Sequence, residues 1–314
     1  MGLEANRFVE LVGCRLPLQQ AGMSGAATAT LAAAVSNAGA LGMIGVGRQQ
    51  RSVVEVYLDE LERSAHGVVG CTCISHLVRD DVVELVAERL PIVEFFWDWP
   101  DASRIPTGVT CGWQIGAVDE ARAAVDAGCH YVIAQGVEAG GHVRGQVPLA
   151  ELVPAVRAAV DVPVVAAGGI GTAEDVRMAI ARGADAVRVG TRFVATVESY
   201  ANPAYIDALV GAEPDDTVLT EAFGVGWQGA SHRVLKSAIA SAEAWSGDDV
   251  GSITMADGTH LPMPRWGVST PTRDTTGEIA AMALYAGRSV GAVHAVLTAA
   301  DVVAELAAGL SPAP

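Results

Sequence analysis

The residues best suited to chemistry lie where apolar runs end in glycine. Val164–Ala167 ends in Gly168 and Gly169, and Thr172 then opens a helical stretch; Val187–Val189, with Arg188 at its centre, ends in Gly190 and Thr191. Backbone free of side chains at two successive strand ends lets amide N–H groups approach a phosphate closely. The plainer alternative is a pair of turns whose glycines serve only the bend. A third such end is Gln135-Gly-Val-Glu-Ala-Gly140-Gly141-His142, where a buried run gives way to polar, glycine-rich sequence with a histidine at its tip. An ordinary imidazole titrates at about 6.5, so His142 is suited to take a proton near neutral pH. A structural or surface histidine is the competing reading.

Two earlier segments offer further groups. Met23, in Gln20-Ala-Gly-Met-Ser-Gly25, is suited to pack against a flat aromatic ring. Asn37, in Val35–Gly39, offers a donor and an acceptor to a phosphate or polyhydroxy chain, and equally caps a helix end. Gly42-x-x-Gly45-x-Gly47 falls within a strand rather than opening a helix, which argues against a dinucleotide fingerprint. His66, His76, His130, His260 and His294 stand without companion ligands, and His232 beside Arg233 reads as a surface residue, with substrate contact as the alternative. No histidines have metal-ligand spacing and Cys71-x-Cys73 lacks a second ligand pair, so no metal is expected.

Positioning these groups requires strands whose ends lie together. Strand-like runs occur at Leu16–Ala21, Leu41–Val46, Gly67–Ile74, Ile92–Trp97, Gly108–Ile115, Tyr131–Gln135, Val162–Ala167 and Ala186–Gly190. Helical stretches alternate with them at Ala29–Ala38, Val53–Ser64, Asp80–Arg89, Asp119–Ala127, Leu149–Val160 and Ala173–Arg182. The strands are continuous apolar runs, as in a parallel sheet covered by helices. Eight strands in serial order predict a TIM (β/α)8 barrel, with a doubly wound sheet as rival. In a barrel the phosphate site is made by the loops after strands seven and eight, where Gly168, Gly169, Gly190 and Thr191 stand.

Between strands four and five, Asp98–Thr107 is too short and proline-rich for a full crossover helix. Residues 197–277 lose the strand-helix beat, apart from helices near Pro203–Val210 and His232–Trp245, and read as a lid or substrate subdomain inserted after strand eight. The barrel is then residues 1–196 and 278–314, the chain returning with a helix at Gly277–Ala286 and finishing with Ser289–Leu310.

Composition excludes other classes. The 314 residues include 20 basic and 36 acidic side chains, a formal charge of −16, which argues against sequence-independent nucleic-acid binding. Lys236 is the only lysine and follows no glycine loop, which argues against Schiff-base chemistry and a Walker-type phosphate loop. Five cysteines, mostly within apolar runs, read as reduced, buried thiols of a cytoplasmic protein. Glu4, Arg7 and Glu10 interrupt any leader-like apolar core, and the uncharged stretch Leu16–Gly47 holds too many polar and glycine residues for a spanning helix.

Together these motifs resemble the nitronate monooxygenase family, formerly called 2-nitropropane dioxygenases. The resemblance rests on Leu-Gln-Gln-Ala-Gly-Met-Ser-Gly, Ala-Val-Ser-Asn-Ala-Gly-Ala-Leu-Gly, Ala-Gln-Gly-Val-Glu-Ala-Gly-Gly-His, Ala-Ala-Gly-Gly-Ile-Gly, Val-Gly-Thr-Arg-Phe and the closing Met282-Ala-Leu-Tyr-Ala-Gly-Arg-Ser-Val-Gly. It spans about residues 15–300 and is shared in large part with flavin-type enoyl-acyl-carrier-protein reductases. The resemblance implies FMN as cofactor. It assigns Met23, Asn37, Gln135, Gly140, Gly141, Gly168, Gly169, Arg188, Val189, Gly190 and Thr191 to cofactor binding. It makes His142 the catalytic base or the residue that orients the nitronate. The implied reaction oxidises small alkyl nitronates or nitroalkanes, with dioxygen as electron acceptor.

Three departures from the family pattern stand out: Gly22 replaces the usual proline before the methionine, Arg188 replaces the usual glutamine, and the fourth β-α unit is short. Gly22 predicts a looser loop over the flavin, and Arg188 a guanidinium that pairs with the phosphate or alters the flavin's electronics. Two other functions fit the same motifs. One is an NAD(P)H-dependent FMN reductase acting on quinones or enoyl thioesters. The other is a non-catalytic flavin-binding protein.

Overall fold

Eight short apolar strands must bury both faces, and parallel pairing under a layer of helices does so. The computed structural model describes residues 6–255 and 257–310; Glu4 lies outside them. The first part comprises α1 (Arg7–Val12), β1 (Leu18–Gln20), α2 (Ala29–Asn37), β2 (Gly42–Val46), α3 (Arg51–Ser64), β3 (Val69–Ile74), α4 (Asp80–Arg89), β4 (Ile92–Phe96), β5 (Thr110–Ile115), α5 (Val118–Asp126) and β6 (Tyr131–Gln135). It continues through β7 (Gly141–His142), α6 (Leu149–Ala159), β8 (Val164–Ala167), α7 (Ala173–Ala181), β9 (Ala186–Val189) and α8 (Thr191–Val194). The large sheet runs β1-β9-β8-β6-β5-β4-β3-β2, all parallel, and a Gln19–Leu41 bridge brings its two edges together. This is the TIM barrel expected, and each of the eight predicted strands is present.

Local chemistry sets the ends. Thr172 caps α7 in a reciprocal pair with Asp175, and Gly128 and Gly183 take the left-handed conformation just after their helices. At the other end of the barrel α1 plugs the lumen, Phe8 meeting the Tyr131 ring edge-on at 5.6 Å. Between β4 and β5 only a 3-10 turn, Ala102–Arg104, replaces the crossover helix. The gap leaves an open groove of about 710 Å³ on the flank, lined by Pro91, Ile105, Pro106, Val109 and His130 among others.

After β9 come α9 (Pro203–Leu209), β10 (Thr217–Thr220), β11 (His232–Leu235), α10 (Lys236–Ala244), β12 (Asp249–Thr254), β13 (His260–Pro264) and β14 (Thr275–Gly277). These form two small antiparallel sheets, β10-β11-β7 and β13-β12-β14. A second core gathers Tyr205, Leu209, Phe223, Val234 and Ala238 with Ala26 and with residues 279–293. The last helix, α11 (Ala299–Ala307), packs against both α2 and α7 and so fills the eighth helical place around the barrel.

Several expectations are corrected here. Gly277–Ala286 is not a helix: it holds one 3-10 turn at Ile279–Ala281 and is otherwise extended, with Leu284 and Ala286 bonded to β11. Ile279 and Ala281–Leu284 are all buried, so the run faces neighbours on every side and lacks the single apolar stripe of a surface helix. Residues 232–235 form a strand before the helix starts at Lys236. No helix among the described residues is long and apolar enough to cross a membrane.

Candidate active site

The carboxyl ends of the strands converge as expected for barrel chemistry. Gly168 and Gly169 end β8 with φ of 109° and 73°, a region closed to most side chains. The amides of Gly168, Gly169 and Gly190 have no backbone partner among the described residues. A Cβ on Gly140 would stand 2.3 Å from the Gly287 amide nitrogen, so the β6 loop and the 286–288 segment touch backbone to backbone. Gly287 N–H donates to Thr191 Oγ1 at 3.0 Å and Arg288 N–H to the Glu138 carbonyl at 3.0 Å. Three loops thus meet around unengaged backbone donors, which fits a cofactor phosphate without a lysine. Met23 lies alongside, its Sδ 3.6 Å from where a Gly190 Cβ would be.

His142 sits at the tip of this arrangement. Gln135 holds its loop, Nε2 donating to the His142 carbonyl at 2.9 Å and Oε1 accepting from Arg144 N–H at 3.1 Å. On the other side Gly141 and His142 pair with Arg233 and His232 of β11. The imidazole stacks on Trp227 at 4.0 Å, and Trp97, Tyr285 and His232 surround it at 5.4–5.8 Å. Its Nε2 is buried without a hydrogen-bond partner among the described residues. Burial, then the neighbouring His232 and His76, hold the His142 pKa down to about 3, so the ring is neutral near pH 7. Trp97, at φ 100°, adopts a strained conformation next to this ring, as residues at functional sites do.

Inside the barrel, just below, Arg188 does not reach the phosphate cradle, the first of the two parts expected of it. Its guanidinium is buried and pairs with Glu94, donating also to Gln19 Oε1 at 2.9 Å and Gln114 Oε1 at 2.7 Å. It therefore points into the lumen rather than toward the glycine loops. Asn37 is corrected as well. It is exposed where the strands begin, its amide bonded to the Ser64 carbonyl and the His66 N–H, so it caps a helix end at the far face of the barrel. The Gln135 amide is spent on the His142 loop, and Val189 is a buried strand residue whose carbonyl accepts from Ala21. The Gly22 loop is tight, because a Cβ there would meet Thr72 Oγ1 at 2.6 Å and the Ile44 carbonyl at 2.8 Å.

His232 is fully buried, not a surface residue. Nδ1–H faces the Ala230 carbonyl at 2.8 Å and Nε2 accepts from Phe223 N–H at 3.2 Å, so both nitrogens are used structurally. Sequence reasoning missed Trp97 and Trp227. The signals were present: Phe-Phe-Trp-Asp-Trp-Pro closes a strand, and Trp227 sits in a glycine-rich stretch of the segment after the barrel.

The nitronate monooxygenase family profile matches residues 5–72 and 52–309. The chain belongs to that family. A probable nitronate monooxygenase of Staphylococcus aureus is 30% identical over 268 residues, covering 69% of this chain and 76% of its own. Among solved structures, FabK from Thermotoga maritima superposes with a TM-score of 0.77 at 29% identity, covering 96% of this chain and 94% of its own. A nitroalkane oxidase from Streptomyces ansochromogenes does so with a TM-score of 0.75 at 28% identity, over 97% of both chains. This nitronate monooxygenase family member is a flavin-dependent oxidoreductase.

Proposed function

We propose that the protein binds FMN and oxidises alkyl nitronates, with dioxygen as electron acceptor. The observation that carries this is the unpartnered Nε2 of a neutral His142 beside a cradle of unengaged amides at Gly168, Gly169 and Gly190. Those amides, with Gly140, Gly141 and Thr191, would hold the phosphate, and Met23 would lie against the ring. When bound, FMN supplies the electron chemistry, accepting from the substrate carbon and passing to dioxygen.

The chain's own part is binding, orientation and exclusion of water. A pKa near 3 makes His142 a weak base, far from the value that favours proton abstraction at neutral pH. The site is therefore better suited to a substrate that is already an anion: with a proton on Nε2, the neutral ring donates a hydrogen bond to the nitro oxygens. Neutral nitroalkanes would be poorer substrates. Trp97, Trp227 and Tyr285 keep water from the ring, which strengthens that bond.

One observation favours a second reading, an NAD(P)H-dependent reductase. His142 stacks on the flat conjugated ring of Trp227 at 4.0 Å, and a nicotinamide or quinone that displaced this indole would make the same contact. Anaerobic titration of the purified protein separates the two. Bleaching of the flavin spectrum by propionate 3-nitronate but not by NADH or NADPH is expected; rapid bleaching by NADH or NADPH would establish the reductase instead. A colourless protein that cannot be reconstituted with FMN would overturn both.

A further inference from the structure

Across the eight barrel strands, Glu94 and Arg188 are the only charged residues. Their strands, β4 and β9, lie four places apart in either direction round the barrel, so the pair spans the lumen. Glu94 accepts from Gln19 Nε2 at 2.6 Å, Thr72 Oγ1 at 2.8 Å and Tyr131 Oη at 2.6 Å, as well as from Arg188. Below this layer the lumen is filled by Tyr131, Met43 and Phe8. Above it is the mouth: Arg188 is in register with Ala167 and, through it, with Gln135, whose amide holds the His142 loop.

A buried ion pair is weak evidence of stability, since apolar residues of similar volume often do as well or better. What this pair adds is direction. A guanidinium only donates, so the bond to Gln114 Oε1 fixes which way round that carboxamide lies. No described residue accepts from Gln114 Nε2, which lies on the other side of the carboxamide from the oxygen that Arg188 holds.

We propose that the Glu94–Arg188 pair is a positioning device for the cofactor: it holds Gln114 with its NH2 presented to the mouth and sets the electrostatic potential of the mouth's floor. This rests on the reading that FMN binds there. Reduction adds negative charge to a flavin, so a guanidinium left without its carboxylate favours the reduced form, and a carboxylate left alone opposes it.

The test is the midpoint potential of the bound flavin, from anaerobic reductive titration against a reference dye, in the wild type, Glu94→Gln, Arg188→Gln and the double variant. Glu94→Gln should shift the potential positive and Arg188→Gln negative, while the double variant returns close to wild type. Gln114→Leu, which leaves the ion pair intact, should weaken FMN binding several-fold. If Arg188→Gln does not fold, Glu94→Gln and Gln114→Leu still decide the matter. Bound FMN with one common potential in the folded charge variants, and unchanged affinity in Gln114→Leu, overturns this proposal alone. A wild type that takes up no FMN overturns the reading beneath it, and this proposal with it.

Discussion

The lumen of the barrel and the mouth just above it treat buried polar groups in opposite ways. In the lumen Glu94 accepts four hydrogen bonds and Arg188 donates three, so the charges are paired and held. At the mouth, the His142 Nε2 is buried and unpartnered, the glycine amides are unengaged, and Trp97 is strained. Native proteins satisfy nearly all buried polar groups, so the unpartnered His142 Nε2, next to glycine amides left open, is the kind of exception a ligand would complete. On the proposed function the lumen is scaffold and the mouth is site, though both are built on the same eight strands.

The largest effect of any substitution at the mouth or in the lumen is expected at His142. His142→Ala should retain FMN by visible spectrum yet lose about 10²–10³-fold in kcat on a nitronate, the usual cost of removing one hydrogen-bond donor to developing charge. Undiminished turnover would remove the mouth's claim to be the site. In the lumen, Glu94→Ala strands the Arg188 guanidinium, and urea unfolding should show a loss of about 3–5 kcal/mol. A loss well under 1 kcal/mol would show that the lumen is not the satisfied network described.

Trp227→Ala sharpens the contrast by admitting water to His142. Burial disfavours the imidazolium, so the pKa should rise from about 3 toward the ordinary histidine value, as read by NMR titration of the ring protons. The sign extends to stability. A folded pKa below the unfolded one gives a contribution fully present above about pH 6.5 and lost as the pH falls toward the folded value. Trp227→Ala should narrow that window, and an unmoved titration would show that Trp227 does not shield the ring. The smallest effect is expected at the far face of the barrel. Asn37→Ala should leave FMN content unchanged and cost about 1 kcal/mol in thermal unfolding, the usual net worth of a side-chain hydrogen bond; loss of FMN would restore Asn37 to the cofactor site.

Much of the scaffold was legible. Apolar runs bounded by Gly, Pro and Asp located every barrel strand, because a strand buried on both faces has no other composition open to it. The Thr172 cap and the glycines after the helices were equally plain. Gly277–Ala286 misled, because six buried residues in the eight from Ile279 to Ala286 read alike whether they coil or run extended against β11. Asn37 misled for a different reason: the motif around it resembles the family, but a helix following a barrel strand ends where the next strand begins, at the face away from the chemistry.

The sequence by itself determined that this is a (β/α)8 barrel with glycine-ended strands and a histidine at one of them, since periodicity and backbone freedom are local properties. Only the tertiary structure decided what the charges and rings do. Arg188 was open to pairing with a phosphate or altering the flavin's electronics until β4 proved to lie opposite β9, bringing Glu94 within reach and holding the guanidinium in the lumen. His142 reads as an ordinary base near pH 6.5 until Trp227, 85 positions along the chain, is found stacked on it. Pairing and desolvation depend on neighbours in space, and those neighbours here are far apart in the chain.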